Sequence, residues 1–276
     1  MSTTLYVSDL DGTLLGADSR VSRRSAEIIT DLTDRGVMIT AATARTPATV
    51  DGLLRGTGLR LPVIVMTGAA MWHPVKRCFE MQHFIDGDTV EIIRLTMGRH
   101  GLSPFVYTID AAGIIHTRHY GPVSKRDREF AAERSHLPLK RLYMIDAQWS
   151  AVEPRTILVL AMGPVAQVMT CADALRATGE CGVSAYTDIF HPETALLEVL
   201  AKGVSKASAI RALADQLGAD RVTAFGDNLN DIPMLQAADH AVAVGNAMDQ
   251  VKAVADEVIG TNTADSVARY ILEREG

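Results

Sequence analysis

Short, uninterrupted apolar runs of strand length recur along this chain, each set off from the next by a turn signal and a helical pattern. Leu5-Tyr6-Val7-Ser8 runs into Asp9 and an Asp-Gly turn; residues 37–41, 62–66, 222–225 and 241–244 repeat the arrangement. Strands apolar on both faces belong in a sheet covered on both sides, and helical connections make such a sheet parallel and right-handed in its crossovers. Ser22 reads as an N-cap, with Ala26, Ile29 and Leu32 at helical spacing before Gly36 ends the segment. Further helices are expected from Pro47, from Ser205 to about Leu217, and over residues 231–237. The fold class implied is α/β, with a doubly wound, Rossmann-like parallel core.

The middle of the chain breaks this rhythm. Residues 105–109 and 114–117 flank Asp110-Ala111-Ala112-Gly113, the pattern of an antiparallel hairpin. Residues 124–136 and 165–177 read as helices covering one face of that sheet. An α+β insertion over 83–191 is therefore expected between two core halves, 1–82 and 192–276. A length of 276 residues suits two domains.

A net charge of −6 offers no basic footprint for nucleic acid or an acidic membrane surface, which leaves a small molecule as the expected partner. Cys78, Cys171 and Cys181 are odd in number and form no C-x-x-C pair, so neither a disulfide framework nor a zinc site is implied. No basic, apolar leader pattern opens the sequence, and its longest plain apolar stretch, 157–162, is far short of the ~18 residues of a membrane span. Cytoplasmic localisation is the expectation.

Asp9-Leu10-Asp11-Gly12-Thr13 lies at the carboxyl end of the first strand, where open α/β sheets bind ligands. Two carboxylates there can divide the labour of phosphoryl transfer, Asp9 attacking phosphorus and Asp11 moving the proton of the leaving oxygen. The plainer alternative is a turn capped by two aspartates. Gly226-Asp227-Asn228-Leu229-Asn230-Asp231 follows the 222–225 strand in the same way, and its Asp227 and Asp231 supply hard oxygen ligands suited to Mg²⁺. Lys206 occupies a first helical turn, where a cation opposes the helix dipole, and either balances these carboxylates or is simply solvated; Lys202 is the rival. At the end of the second strand, Thr43 and the Ala44 N–H can meet phosphate, and Arg45 can reach the leaving group.

These four elements, in this order, resemble the four motifs of the haloacid dehalogenase superfamily, and the size and place of the insertion resemble the cap of its Cof-type phosphatases. The resemblance implies Asp9 as nucleophile, Asp11 as general acid/base, and Mg²⁺ held by Asp9, the Asp11 carbonyl and Asp227. It further implies backbone N–H groups of Leu10 and Ala44, with Thr43, Lys206 and Asn230, around phosphate, and Asp231 orienting Lys206 or a metal-bound water. Three departures stand out. Ala44 replaces a usual glycine, Thr67-Gly68-Ala69 stands for Asn-Gly-Ala, and Asp265-Ser266 stands where a charged residue and glycine are common.

The expected activity is Mg²⁺-dependent hydrolysis of small phosphomonoesters such as sugar phosphates. The alternatives are transfer of the same phosphoryl group to a sugar hydroxyl, and a phospho-ligand binding protein without catalysis. Dehalogenation would leave Asp11 and the metal without a role. Arg118, His119, Lys125 and Arg126 are candidate cap contacts to substrate, His73 is unassigned, and His191 before Pro192 suggests a hinge.

Overall fold

A computed structural model describes residues 3–188 and 191–276. The chain divides into two compact units: residues up to Met81 together with Ser205–Gly276, and Gln82–Val204. Among the described residues no helix is long and apolar enough to cross a membrane.

In the first unit β1 (Thr4–Ser8) leads through a tight turn to α1 (Arg23–Asp34), and then to β2 (Met38–Ala41), α2 (Pro47–Leu53) and β3 (Val63–Val65). Ser22 does cap α1, its hydroxyl accepting from the Ser25 N–H. Asp265, in a left-handed conformation, accepts from the hydroxyls of both Ser22 and Ser25 and so ties this helix to the C-terminal one. Beyond β3 the chain turns back into β4 (Ala70–His73) and β5 (Cys78–Gln82), which complete a small three-stranded sheet with β3. β3 touches the main sheet through a parallel bridge from Ala42 to Ile64.

The second unit contains α3 (Gly87–Arg99), β6 (Pro104–Ile109), β7 (Ile115–Tyr120), α4 (Lys125–Arg134), β8 (Lys140–Ile145), β9 (Thr156–Pro164), α5 (Val165–Thr178), β10 (Cys181–Thr187) and β11 (Thr194–Ala201). Its sheet has the order β10-β11-β9-β6-β7-β8, with β6 and β7 paired antiparallel as the hairpin pattern implied.

Two expectations for this region need correction. Residues 192–204 belong to the second unit, because β11 is hydrogen-bonded between β9 and β10. His191-Pro192 is accordingly not the return to the core, which comes at Val204–Ser205. Nor do the helices cover a single face. α3 and α5 pack on the Val106, Val159 and Val199 side of the sheet, whereas Phe130 of α4 packs on Phe105, which neighbours Val106 and so points the other way.

After the return come α6 (Lys206–Leu217), β12 (Arg221–Gly226), α7 (Ile232–Ala237), β13 (His240–Ala243), α8 (Asp249–Lys252), β14 (Glu257–Val258) and α9 (Ser266–Glu275). The main sheet runs β14-β13-β12-β1-β2, parallel throughout. β1 is therefore flanked by β12 and β2, and the carboxyl ends of all three open onto one rim.

Candidate active site

The pairing of β1 with β12 runs from Thr4↔Arg221 to Ser8↔Phe225, and the Asp9 N–H donates to the Phe225 carbonyl at 2.9 Å. Asp9 and Asp227 therefore leave adjacent strand ends almost level with each other. The turn that follows Asp9 requires Gly12 at φ +78°, and a Cβ there would lie 2.3 Å from Asp227 Oδ2. Glycine is required on both counts. Thr13 then donates its hydroxyl to Asp227 Oδ1 at 2.9 Å, and Asn246, just beyond β13, donates to the Gly12 carbonyl at 2.8 Å.

Lys206 reaches this rim from the first turn of α6. Its ammonium donates to Asp9 Oδ1 at 2.5 Å and Asp231 Oδ1 at 2.8 Å, and all three side chains are buried. The helix start is held by reciprocal capping between Ser205 and Ser208, and Gly68 makes room for it, since a Cβ at that position would meet the Ser205 carbonyl at 2.3 Å. Met66 and Thr67 precede Gly68 in left-handed conformations at φ 52° and 58°. For Thr, branched at Cβ, this is a strained geometry. Asp231 turns its other oxygen to the N–H groups of Asp227 and Asn228, at 3.2 Å each, so it both orients the lysine and shapes the loop.

Thr43 is buried at the end of β2, fixed by bonds from its N–H to the Ile64 carbonyl and from the Thr67 N–H to its own carbonyl. The Thr43 hydroxyl accepts from the Arg45 N–H at 3.1 Å and keeps its own hydrogen to give. Among the described residues the N–H groups of Leu10 and Ala44 donate to nothing, and Asn230 makes no side-chain hydrogen bond. Arg45 departs from the expected free reach toward a leaving group: its guanidinium forks onto Asp11, both contacts at 2.6 Å. Lys202 is exposed beside Glu180.

Lys206 remains protonated. Burial alone would lower its pKa, but the charges of Asp231 and Asp9 and the hydrogen bonds to both outweigh it and raise the group. Burial, followed by the charges of Asp231 and Asp227, pushes Asp9 well up against the pull of Lys206. Burial and Asp231 push Asp227 up to about 6, with the Thr13 hydrogen bond opposing. Three carboxylates whose oxygens lie within 4.8 Å of one another face one ammonium. Asp231 spends its oxygens on Lys206 and two amides. Asp9 and Asp227 each retain an oxygen with no donor among the described residues, an all-oxygen donor set that fits a hard divalent cation.

Of the residues singled out from sequence, Asp9, Asp227, Asp231 and Lys206 converge through direct contacts, while Asp11 and Arg45 converge on each other. Gly12 and Thr13 lie inside the first motif and Gly68 in the Thr67-Gly68-Ala69 stretch, but none was given a role from sequence, and Asn246 was not singled out at all. In the second unit His119 is fully buried and Arg126 donates to Asp188 at 3.0 Å. Arg118 faces Glu153 at 3.6 Å, and Lys125 is exposed beside Glu129. His73 accepts from the N–H groups of Val75 and Lys76.

Comparison with known proteins agrees with this geometry. The model of the haloacid dehalogenase-like hydrolases matches residues 6–271. The 5-amino-6-(5-phospho-D-ribitylamino)uracil phosphatase YcsE of Bacillus subtilis is 26% identical over 97% of this chain and 94% of its own length. The pyridoxal phosphate phosphatase YbhA of Escherichia coli is 24% identical over 98% of each chain. Among solved structures, the subclass IIB sugar phosphatase BT4131 superposes with a TM-score of 0.76 at 21% identity, covering 99% of both chains. A haloacid dehalogenase-like hydrolase from Bacteroides thetaiotaomicron also gives 0.76, at 22% identity and 99% coverage of both. This chain belongs to the haloacid dehalogenase-like hydrolases and, within them, to the Cof-type phosphatases, which hydrolyse phosphoric monoesters.

Proposed function

We propose that this phosphatase cleaves the phosphomonoester of a small metabolite in two transfers, through an aspartyl phosphate on Asp9, with Mg²⁺ held by Asp9, Asp227 and the Asp11 carbonyl. The observation that carries the reading is the Lys206 clamp. It fixes one Asp9 oxygen at 2.5 Å and leaves the other without a donor among the described residues. When bound, the cation would supply Lewis-acid charge stabilisation and offset the excess of buried carboxylate.

In the first transfer the Asp9 oxygen that Lys206 orients forms a bond to phosphorus, the ester P–O bond breaks, and the departing oxygen takes a proton from Asp11. In the second, water attacks the same phosphorus, its proton passes to Asp11, and the Asp9 carboxylate is restored. In this reading Thr43, Lys206, Asn230 and the N–H groups of Leu10 and Ala44 are the donors to the phosphoryl group, meeting the charge that develops on it. Arg45 holds both Asp11 oxygens, so it has to let go of one before Asp11 can reach the leaving oxygen. A leaving group that draws the guanidinium away would free Asp11 as the substrate arrives.

A small phosphorylated metabolite as substrate is supported by the relatives, whose names specify a ribitylaminouracil phosphate, pyridoxal phosphate and sugar phosphates. The test is Asp9→Asn assayed for phosphate release from such esters with Mg²⁺. Turnover is expected to fall about a thousandfold or more with the fold intact, and a chelator is expected to stop the wild-type enzyme. Near-normal, chelator-insensitive turnover in that variant would sink the mechanism.

A further inference from the structure

Within the second unit, the C-terminal end of α3, the turn after β7 and the segment ending in Trp149 enclose a cavity of about 530 Å³. That lies inside the ~300–1,000 Å³ range of small-ligand pockets. Part of its wall is flat and aromatic: Tyr120 and Trp149 lie nearly parallel, 16° apart with ring centroids at 6.1 Å. Trp149 is only 7% exposed, and among the described residues its indole N–H, like that of Trp72, has no hydrogen-bond partner.

Two arginines line the cavity with different standing. Arg94 is forked onto Glu91, at 2.7 and 2.5 Å, and braces the Trp149 carbonyl at 3.1 Å, so its charge is already answered. Arg99 is exposed and makes no ion pair or hydrogen bond with a described residue. The helix end beside it adds little opposing charge, because the carbonyls of Thr96, Met97, Gly98 and His100 all accept hydrogen bonds.

An aromatic wall and one unanswered cation complement a flat ring carrying a single negative charge. The geometry points to a ligand site in the second unit for an aromatic carboxylate, its ring against Tyr120 and Trp149 and its carboxylate toward Arg99. A phosphate dianion is disfavoured because Arg94 has no charge left to offer.

Trp72 and Trp149 are the two tryptophans of the chain, so a ¹H–¹⁵N spectrum of the full-length protein carries two indole N–H signals. That of Trp149 is identified by its loss in Trp149→Phe or, should that variant not fold, by its survival in Trp72→Phe. Benzoate is expected to shift the Trp149 signal saturably and leave that of Trp72 in place. Arg99→Glu, a surface change, is expected to weaken the binding about tenfold, and phenol to bind about tenfold more weakly than benzoate. The site is overturned by any of three results: no saturable shift up to ~10 mM benzoate, affinity that Arg99→Glu leaves unchanged, or phenol or phenylphosphonate binding as tightly as benzoate.

Discussion

The two units bury polar groups in opposite ways. In the first, Asp9, Lys206 and Asp231 are all but inaccessible, yet the ammonium is bonded to both carboxylates and Asp231 uses its second oxygen on two amides. In the second, Thr117, His119 and Asp127 are buried, and these together with Arg126 keep side-chain atoms without a partner among the described residues; His119 Nε2 stops 3.5 Å from Asp127 Oδ2. Lys140 is 3% exposed and stands over the rings of Tyr107 and Phe130, at 4.8 and 5.9 Å, with no carboxylate partner among the described residues. Convergence of charges over-determines the first region. The second buries polar groups that are only partly satisfied among the described residues, beside the rings of Phe105, Tyr107 and Phe130.

The contrast should show most strongly at the two buried lysines. Lys206→Met removes the partner of two buried carboxylates and is expected to destabilise the chain by about 3–5 kcal/mol, measured by denaturant unfolding without metal. A cost near zero would mean that the Lys206 network is no more constrained than the second unit. Lys140 should behave in the reverse sense. Burial, with Arg134 adding to it, holds its pKa down to about 7, whereas the unfolded chain keeps that proton until ~10.4. Between these values the unfolded state binds more protons, so stability should rise with pH by up to ~1.4 kcal/mol per unit. Lys140→Met should flatten that slope and stabilise the protein at pH 7, and an unchanged slope would break the comparison. The smallest effect is local. Thr67 sits in a left-handed conformation that Asn tolerates better. Thr67→Asn should therefore add about 1 kcal/mol to the unfolding free energy, read in the same titration.

What could be read from sequence followed the same divide. Asp9, Asp11 and Asp227 were recognisable because a parallel sheet leaves few places where a strand can end, and each of their motifs follows one; Lys206, in a helix first turn, was recognisable only through the resemblance of all four motifs in order. The Arg45–Asp11 fork was not, since nothing local to either residue reports that their side chains meet. The strand Thr194–Ala201 was not read from the sequence, and its composition does not say which sheet takes it. Its pairing with β9 and β10 moves the unit boundary from 191 to 204. The side of the sheet on which α4 lies was equally hidden. Its sequence is dominated by charge, and only the contact of Phe130 with Phe105 decides the matter. The Asn246 bond to the Gly12 carbonyl joins residues 234 apart and left no local trace.

The central proposal, that Asp9 is the nucleophile, is tested most directly by acid-quenching Asp11→Asn during turnover of a phosphomonoester with Mg²⁺ and mapping phosphoryl adducts by mass spectrometry. With the proton carrier removed, the second transfer slows and the intermediate should accumulate. The expected result is a hydroxylamine-labile phosphoryl group on Asp9, absent from Asp9→Asn. A phosphoryl group on any other residue, or none while phosphate is still released by Asp9→Asn, would contradict it.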